Sequence, residues 1–443
     1  MLKKLVTVLA AVICTTGFSF AATQSSSSST DSDLTSLEAQ INALNQQLNS
    51  LEPNNLLRSN SRLSEIGNFY QKRRGGGLRG LHSDDSLGFF IDSLPTITYE
   101  LALLQELQAH PVNGVAIGGY FEQDVQYWNG DSITTPDGVH YQRGSDAYLT
   151  TMNLDVLAQL NDWSMVLVRP EVANLGTSTE SMSIHDAFIT LGNLSKTPLY
   201  ATLGKTYVPF GAFTGSAPWA NSLTKSVFEP PAKSQIIFGY YQQGLNSSIS
   251  VFQTDYSRRN INNFAYRLFY STSRGAWNYG AGASYLNDTR GLGSAFIPEG
   301  PFDNSENSRN ALYDLNATVG YKIWTLNAEW LTLQRSVFTT AGLNQGKPQA
   351  WDVDGSVSPL VRGKTLTMLM GYSHTSHLQG LPMQLGGLAS PGDTASAGFN
   401  SQWLAAIIRP ITPHYSLGFE GAYDTLYNGQ NTYEFTVDNS IYF

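Results

Sequence analysis

Acidic side chains outnumber basic ones in this sequence, 35 to 26, and many sit at alternate positions of segments with a period of two. Glu122, Asp124, Asp155, Glu171, Asp186, Asp314, Glu329, Asp352, Asp354, Glu420 and Glu434 all fall on the polar parity of such segments. Basic residues on that parity are fewer, chiefly Arg169, Arg267 and Lys322. Two chemistries fit such a set. The groups pair with one another and with water in a wet interior, or they form an acidic lining that attracts cations and disfavours free anions.

Other reactive pairs are weaker. His374-Thr-Ser-His377 suggests a metal pair, but on a strand residues three apart point to opposite faces, so no metal is expected there. His185-Asp186 resembles a catalytic dyad, yet neighbouring strand residues also face oppositely, and no serine nucleophile signature accompanies them. No glycine-rich phosphate loop joins a strand to a helix. Neither an enzyme nor a cofactor is expected.

The elements that must position these groups begin after an expected leader. Lys3 and Lys4 form a basic start, Leu5 to Ile13 an apolar stretch, and Ser19-Phe20-Ala21 a cleavage site, so residues 1–21 read as a signal peptide. Cys14, the single cysteine, falls inside it. The mature chain then offers no disulfide, thiolate metal site or cysteine nucleophile. Net charge is -9, or -11 once Lys3 and Lys4 are removed, which argues against nucleic acid as a partner.

Residues 22–33 are a Ser-rich tether. Leu34, Leu37, Ile41, Leu44, Leu48 and Leu51 then alternate in spacings of three and four until Pro53, which reads as a short heptad helix over 34–52. Its apolar stripe would join protomers, dock a periplasmic partner, or fold back on its own chain. Residues 53–112 form a linker or a small plug. They include the basic stretch Lys72-Arg73-Arg74-Gly75-Gly76-Gly77-Leu78-Arg79 and a short helix near Tyr99 to Ala109.

From there the period is two. Tyr313, Leu315, Ala317, Val319 and Tyr321 interleave with Asp314, Asn316, Thr318, Gly320 and Lys322, so one face suits lipid and the other water. About sixteen such segments occur, near 114–127, 146–160, 163–173, 183–193, 199–206, 235–243, 245–255, 263–273, 276–287, 311–322, 324–335, 349–359, 364–375, 398–408, 414–427 and 431–443. No apolar run after the leader approaches the ~18 to 20 residues of a membrane-spanning helix. The residue set of 23 Tyr, 21 Phe, 8 Trp and 40 Gly suits aromatic girdles and tight turns instead.

The expected fold is all-β: an antiparallel transmembrane β-barrel of about sixteen strands over 113–443, in the outer membrane of a Gram-negative bacterium. Short turns alternate with longer loops at Trp128 to Ser145, Tyr207 to Ser234, Asp288 to Asn310, Ser336 to Lys347 and His377 to Ala397. The short set is expected in the periplasm. Phe435, Val437, Ile441 and the terminal Phe443 form the expected signal for the barrel-assembly machinery, with Asn439 departing from the apolar pattern. Outer-membrane lipid is the surrounding partner.

In outer-membrane channels one long loop often turns into the lumen. The 207–234 loop, with Pro209-Phe210-Gly211 and Trp219, is the first candidate, and an external loop with ordinary turn prolines is the alternative. Phe210, Trp219, Arg258 and Arg259 are candidate ligand contacts.

The layout as a whole resembles the LbtU-type siderophore porins and the related FslE and FupA iron-uptake proteins. Locally the resemblance rests on Gly118-Gly119-Tyr120-Phe121, His185-Asp186-Ala187-Phe188 and Gly204-Lys205-Thr206-Tyr207-Val208-Pro209-Phe210-Gly211. It implies outer-membrane uptake of a ferric siderophore or of iron, without the large plug and energy-coupling box of TonB-dependent receptors. A barrel of 22 strands with a globular plug would not fit in this length. An anionic ferric siderophore would need loop cations such as Arg258 and Arg259 to receive it, whereas ferrous iron suits the acidic lining. A general diffusion porin, and a surface-exposed structural or adhesion barrel, are the alternatives.

Overall fold

The computed structural model describes residues 99–109, 114–134, 140–175, 180–213, 221–254, 260–290, 292, 309–336, 346–378, 383–384, 394–395, 399–412 and 414–442. The expected leader, tether and heptad helix, most of 53–112, and Trp219, Arg258, Arg259 and Phe443 lie outside the described residues.

A helix, α1 (Tyr99–Ala109), comes first. Five strands follow: β1 (Gly114–Thr134), β2 (His140–Asn161), β3 (Ser164–Leu175), β4 (Ser181–Gly192) and β5 (Leu199–Tyr207). A short helix, α2 (Leu223–Phe228), lies in the next connection. Then come β6 (Ala232–Gln242), β7 (Leu245–Phe252), β8 (Asn263–Arg274), β9 (Trp277–Leu286), β10 (Leu312–Tyr321), β11 (Trp324–Leu333) and β12 (Gln349–Val357). The two-residue strands β13 (Leu360–Val361) and β14 (Lys364–Thr365) pair with each other before β15 (Thr367–Ser376). Likewise β16 (Met383–Gln384) pairs with β17 (Thr394–Ala395). The chain finishes with β18 (Phe399–Thr412), β19 (Tyr415–Leu426) and β20 (Asn431–Tyr442).

Sixteen of these strands, all but β13, β14, β16 and β17, form one closed antiparallel barrel. It closes where β20 returns to β1, in register from Tyr120↔Tyr442 to Gly130↔Thr432. Closure leaves no unpaired edge, so every strand finds its backbone partners within the barrel. Each of the sixteen expected segments holds one barrel strand, and the segment 364–375 also takes in the short β14 ahead of β15. The first hairpin is longer than expected, because β1 and β2 run to Thr134 and from His140 through what was read as a loop from Trp128 to Ser145.

Alternation follows the residues' chemistry. In β10, Leu312, Asp314, Asn316, Thr318 and Gly320 are buried while Tyr313, Leu315, Ala317, Val319 and Tyr321 are exposed. Outward positions carry Ile117, Phe238, Leu315, Leu326, Met370 and Ile407. Aromatics gather toward both ends of this belt. Trp277 lies 4.5 Å from Tyr321 between ring centroids at the short-turn end, and Tyr372 lies 4.7 Å from Trp403 toward the other. An apolar exterior flanked by aromatic rows around a polar interior is the pattern of a transmembrane barrel. Phe435 and Ile441 are exposed and Val437 between them is half-buried, beside Asn439, whose Oδ1 accepts a 2.9 Å hydrogen bond from Tyr415 Oη.

α1 forms where the sequence predicts it. Leu101, Leu103, Leu104 and Leu107 pack against Ala116, Leu157, Met165, Leu167, Phe188 and Tyr200, near the short-turn ends of β1 to β5. Gln108 fixes its far end: Nε2 donates to Gly192 O at 3.1 Å, and Leu194 N donates to Gln108 Oε1 at 3.0 Å. Leu103→Asp would place a carboxylate in that apolar contact and unseat α1. A Glu-specific protease should then cut after Glu100 and Glu106 more than about tenfold faster, each ~1.4 kcal/mol of lost seating being a factor of about ten. An unchanged cleavage rate would show that these leucines do not hold the helix.

Candidate functional site: a lumen narrowed from within

The connection from β5 to β6 turns inward, as one of the two sequence readings had it. Val208, Phe210, Phe213, Leu223, Val227 and Phe228 are buried in a cluster with Phe252, Leu286, Leu312, Leu331, Leu333, Ala350 and Leu426, which come from strands around the barrel. Burying these rings removes apolar surface from water and holds the loop across the long-loop end of the interior. Phe210 is therefore a packing residue and not an open ligand contact.

Polar pins set the loop's position. Gly211 N donates to Ser284 Oγ on β9 at 3.1 Å. Glu329 Oε1 on β11 accepts from Ala212 N at 2.7 Å and from Phe213 N at 3.0 Å. Thr224 Oγ1 donates to Asp352 Oδ1 on β12 at 2.6 Å, and Leu223 N to Ser373 Oγ on β15 at 3.2 Å. The chain reverses at Gly211, whose φ of 69° suits a residue without a Cβ; an added Cβ would meet the Phe213 ring at 2.5 Å.

The sequence-predicted carboxylates are thus on the inward face, with differing partners. Glu329 and Asp352 anchor the loop. Asp354 accepts both 2.7 and 2.9 Å bonds from Asn327 Nδ2, and Asp314 Oδ2 accepts from Asn316 Nδ2 at 2.7 Å. Asp155 and Asp186 flank Arg169, whose Nη2 lies 3.1 Å from Asp155 Oδ2 and Nη1 3.1 Å from Asp186 Oδ2. Glu122 and Asp124 stand on β1 at the closing seam, where one carboxylate oxygen of each and one of Asp438 lie within 4.8 Å of one another. Glu420 is buried on β19, Glu171 and Glu434 are half-buried, and Arg267 is buried with its guanidinium 5.6 Å from the Phe269 ring.

Three expectations need correction. Lys322 is not on the inner face: it sits exposed in the turn between β10 and β11 with φ 51°. The His185–Asp186 contact exists after all, because the register slips from Arg169↔Asp186 to Pro170↔Ile184 and leaves His185 as a β-bulge. His185 Nδ1 lies 2.9 Å from Asp186 Oδ2 and Nε2 lies 3.2 Å from Tyr207 Oη, so both ring nitrogens are engaged. The inner face is also not uniformly polar. Leu157, Met165, Leu167, Phe188, Leu404 and Ile408 are buried on it. Continuous apolar runs such as Met165-Val166-Leu167-Val168 and Trp403-Leu404-Ala405-Ala406-Ile407-Ile408 were the available signal.

Asp424 and Asp438, both buried, belong to the inner set and escaped the sequence reading, although they share its parity. His374 lies on β15 with its ring centroid 5.9 Å from that of Trp351, and His377 adopts φ 62° beside Gly346.

Comparison with known proteins gives relatives that match part of the chain. A family model described as a protein of unknown function, DUF3573, matches residues 99–310, from the first residue of α1 to just before β10. A UPF0422 protein of Legionella pneumophila strain Paris is 26% identical over 295 residues, which is 59% of this chain and 52% of that protein. Its counterpart in strain Lens is 25% identical over 332 residues, covering 65% and 59%. The chain spans about half the length of the curated relatives it matches. Among solved structures, OprB of Pseudomonas putida aligns over 76% of this chain and 96% of its own, with 10% identity and a TM-score of 0.51. The chain is similar to the DUF3573 and UPF0422 proteins, and its barrel shares its fold with OprB.

Proposed function

We propose that the protein is an outer-membrane channel whose aqueous path is narrowed by the loop between β5 and β6. The observation that carries this reading is the inward loop, pinned by Glu329 and Asp352 to the opposite wall of a closed barrel. An apolar exterior with a carboxylate-rich interior supports residence in the outer membrane, with short turns toward the periplasm. The lining, from Glu122 to Glu434, favours cations over free anions.

The cargo within this reading is iron, as the ferrous ion or as a ferric siderophore. Its support is the family resemblance in the sequence together with the carboxylate lining, which suits a small hard cation. Purified protein in planar bilayers should give discrete cation-preferring current steps; folded protein without such steps would end the channel reading. Deletion of the gene should lower radio-iron uptake under iron limitation. Unchanged uptake with intact channel activity would leave a general diffusion pore.

A further inference from the structure

The apolar outer surface of the barrel is broken at Gly355. Across β10, β11, β12, β15 and β18 one outward row reads Val319, Leu326, Gly355, Met370 and Ala405, each the register partner of the next. Leu326 and Met370 stand out at 55% and 59% exposure, with no side chain between them. The result is a groove of about 750 Å³ with Gly355 in its lining, walled by Trp277, Tyr321 and Trp324 on one side and by Tyr372 and Trp403 on the other. Ligand-holding clefts span roughly 300–1,000 Å³, so the size suits a bound molecule. Its lining is apolar and aromatic, which makes water a poor occupant.

Charge of one sign borders this groove. The short turns from β8 to β9, β10 to β11, β12 to β15 and β18 to β19, with the strand ends beside them, carry Arg274, Lys322, Arg362, Lys364 and Arg409. No Asp or Glu lies in 274–276, 322–323, 358–366 or 409–414. The remaining short turns, at 162–163, 193–198 and 243–244, bring one anion, Asp162, and one cation, Lys196. Lys322 is placed against the outer face, its Nζ 5.3 Å from the centroid of the Tyr321 ring that walls the groove. Arg409 follows Trp403, Ala405 and Ile407 on the outward parity of β18. Its Nη2 donates to Val361 O at 3.1 Å and Lys364 Nζ donates to Ile411 O, which seats the hairpin of β13 and β14 against β18. Three strand spacings, about 14 Å, separate β11 from β18, so these cations act on one patch of headgroups.

We propose that this groove holds an anionic glycerophospholipid of the periplasmic leaflet, with an acyl chain over Gly355 and the phosphate at Lys322, in the field of Arg362, Lys364 and Arg409. Methylenes pack against a floor without a side chain and between aromatic walls, and a phosphodiester accepts from ammonium and guanidinium donors at the membrane surface. The site rests on the outer-membrane reading for its leaflet, since that reading puts the short turns toward the periplasm.

Full-length protein in phosphatidylcholine vesicles, titrated with phosphatidylglycerol or phosphatidylcholine brominated on the acyl chains, reads the contact without reading current. Bromine quenches tryptophan on contact, and Trp277, Trp324 and Trp403 border the groove. Brominated phosphatidylglycerol should quench at the lower mole fraction, and Lys322→Gln should shrink that preference about fivefold, the effect of one cation near an anionic headgroup. Glutamine fits the backbone there: Gln243 holds φ 50° in the turn between β6 and β7, where Lys322 has 51° in its own. Lys322→Arg should keep the preference. Gly355→Phe fills the floor without a clash, since a Cβ meets Thr325 O at 3.8 Å and Leu326 Cδ1 at 3.9 Å. It should remove the quenching at low mole fraction while heat-modifiability gels show a folded barrel. Equal quenching by the two lipids overturns the proposal, and so does an unchanged preference in Lys322→Gln and Gly355→Phe. Cross-linking of Gly355→Cys between two copies, in a Cys14→Ser background, would give the groove to a second copy instead. Phosphatidylglycerol preference without bilayer current keeps the lipid site and removes the channel reading, whereas current with equal quenching does the reverse.

Discussion

Glu329→Ala is expected to raise single-channel conductance severalfold, whereas Glu329→Gln keeps conductance near that of the unsubstituted protein and lowers cation preference. Both backbone donors of the reversal at Ala212 and Phe213 end on one oxygen of this side chain. Hydrogen bonds to a charged acceptor contribute about 1.5–3 kcal/mol each, and a buried N–H left without a partner costs about 1–3 kcal/mol. Alanine therefore turns the pin into two orphaned donors, and residues 211–213 leave the wall to meet water. The α2 half stays, held by Asp352 and Ser373.

Glutamine separates position from charge. Its amide oxygen still accepts from both donors, so the loop keeps its place while one negative charge is lost. Conductance steps and the reversal potential in a salt gradient measure the two effects independently. If the alanine variant conducts as the wild type does, this loop is not the constriction.

Arg169→Ala should be the most destabilising single substitution in the barrel wall, at about 3–5 kcal/mol, because it leaves two buried carboxylates without their cation. The side chains of Arg169, Asp155 and Asp186 are 3%, 6% and 2% exposed. Removing all three charges together, as Asp155→Asn, Arg169→Met and Asp186→Asn, should cost far less, since the penalty lies in the uncompensated charge. The temperature at which the folded band is lost in heat-modifiability gels ranks the variants. Equal losses for the single and the triple variant would mean that Arg169 acts through packing alone.

Much of this architecture was legible because strand parity is a local property. Each of the sixteen segments read from alternation became a barrel strand, and the charged residues named on the polar parity became inward residues, save for the turn residue Lys322. The 207–234 loop was already conspicuous for its length and its Pro-Phe-Gly turn. His185 shows where parity fails: one bulged residue puts two neighbours within hydrogen-bond reach, and alternation carries no mark of it. The inward leucines that receive α1 and the loop were half visible, as strand ends apolar on both faces.

The sequence by itself determined strand count, the inward or outward face of nearly every strand residue, and the acidity of the interior, since all three follow from chemistry repeated every two residues. Only the tertiary structure decided what fills that interior. Ala212 meets Glu329 across 117 residues of chain, and Leu223 meets Ser373 across 150. Contacts that distant depend on barrel closure, which brings β5 opposite β11 and β15. No periodicity within one strand encodes which loop will reach across or which carboxylate will hold it.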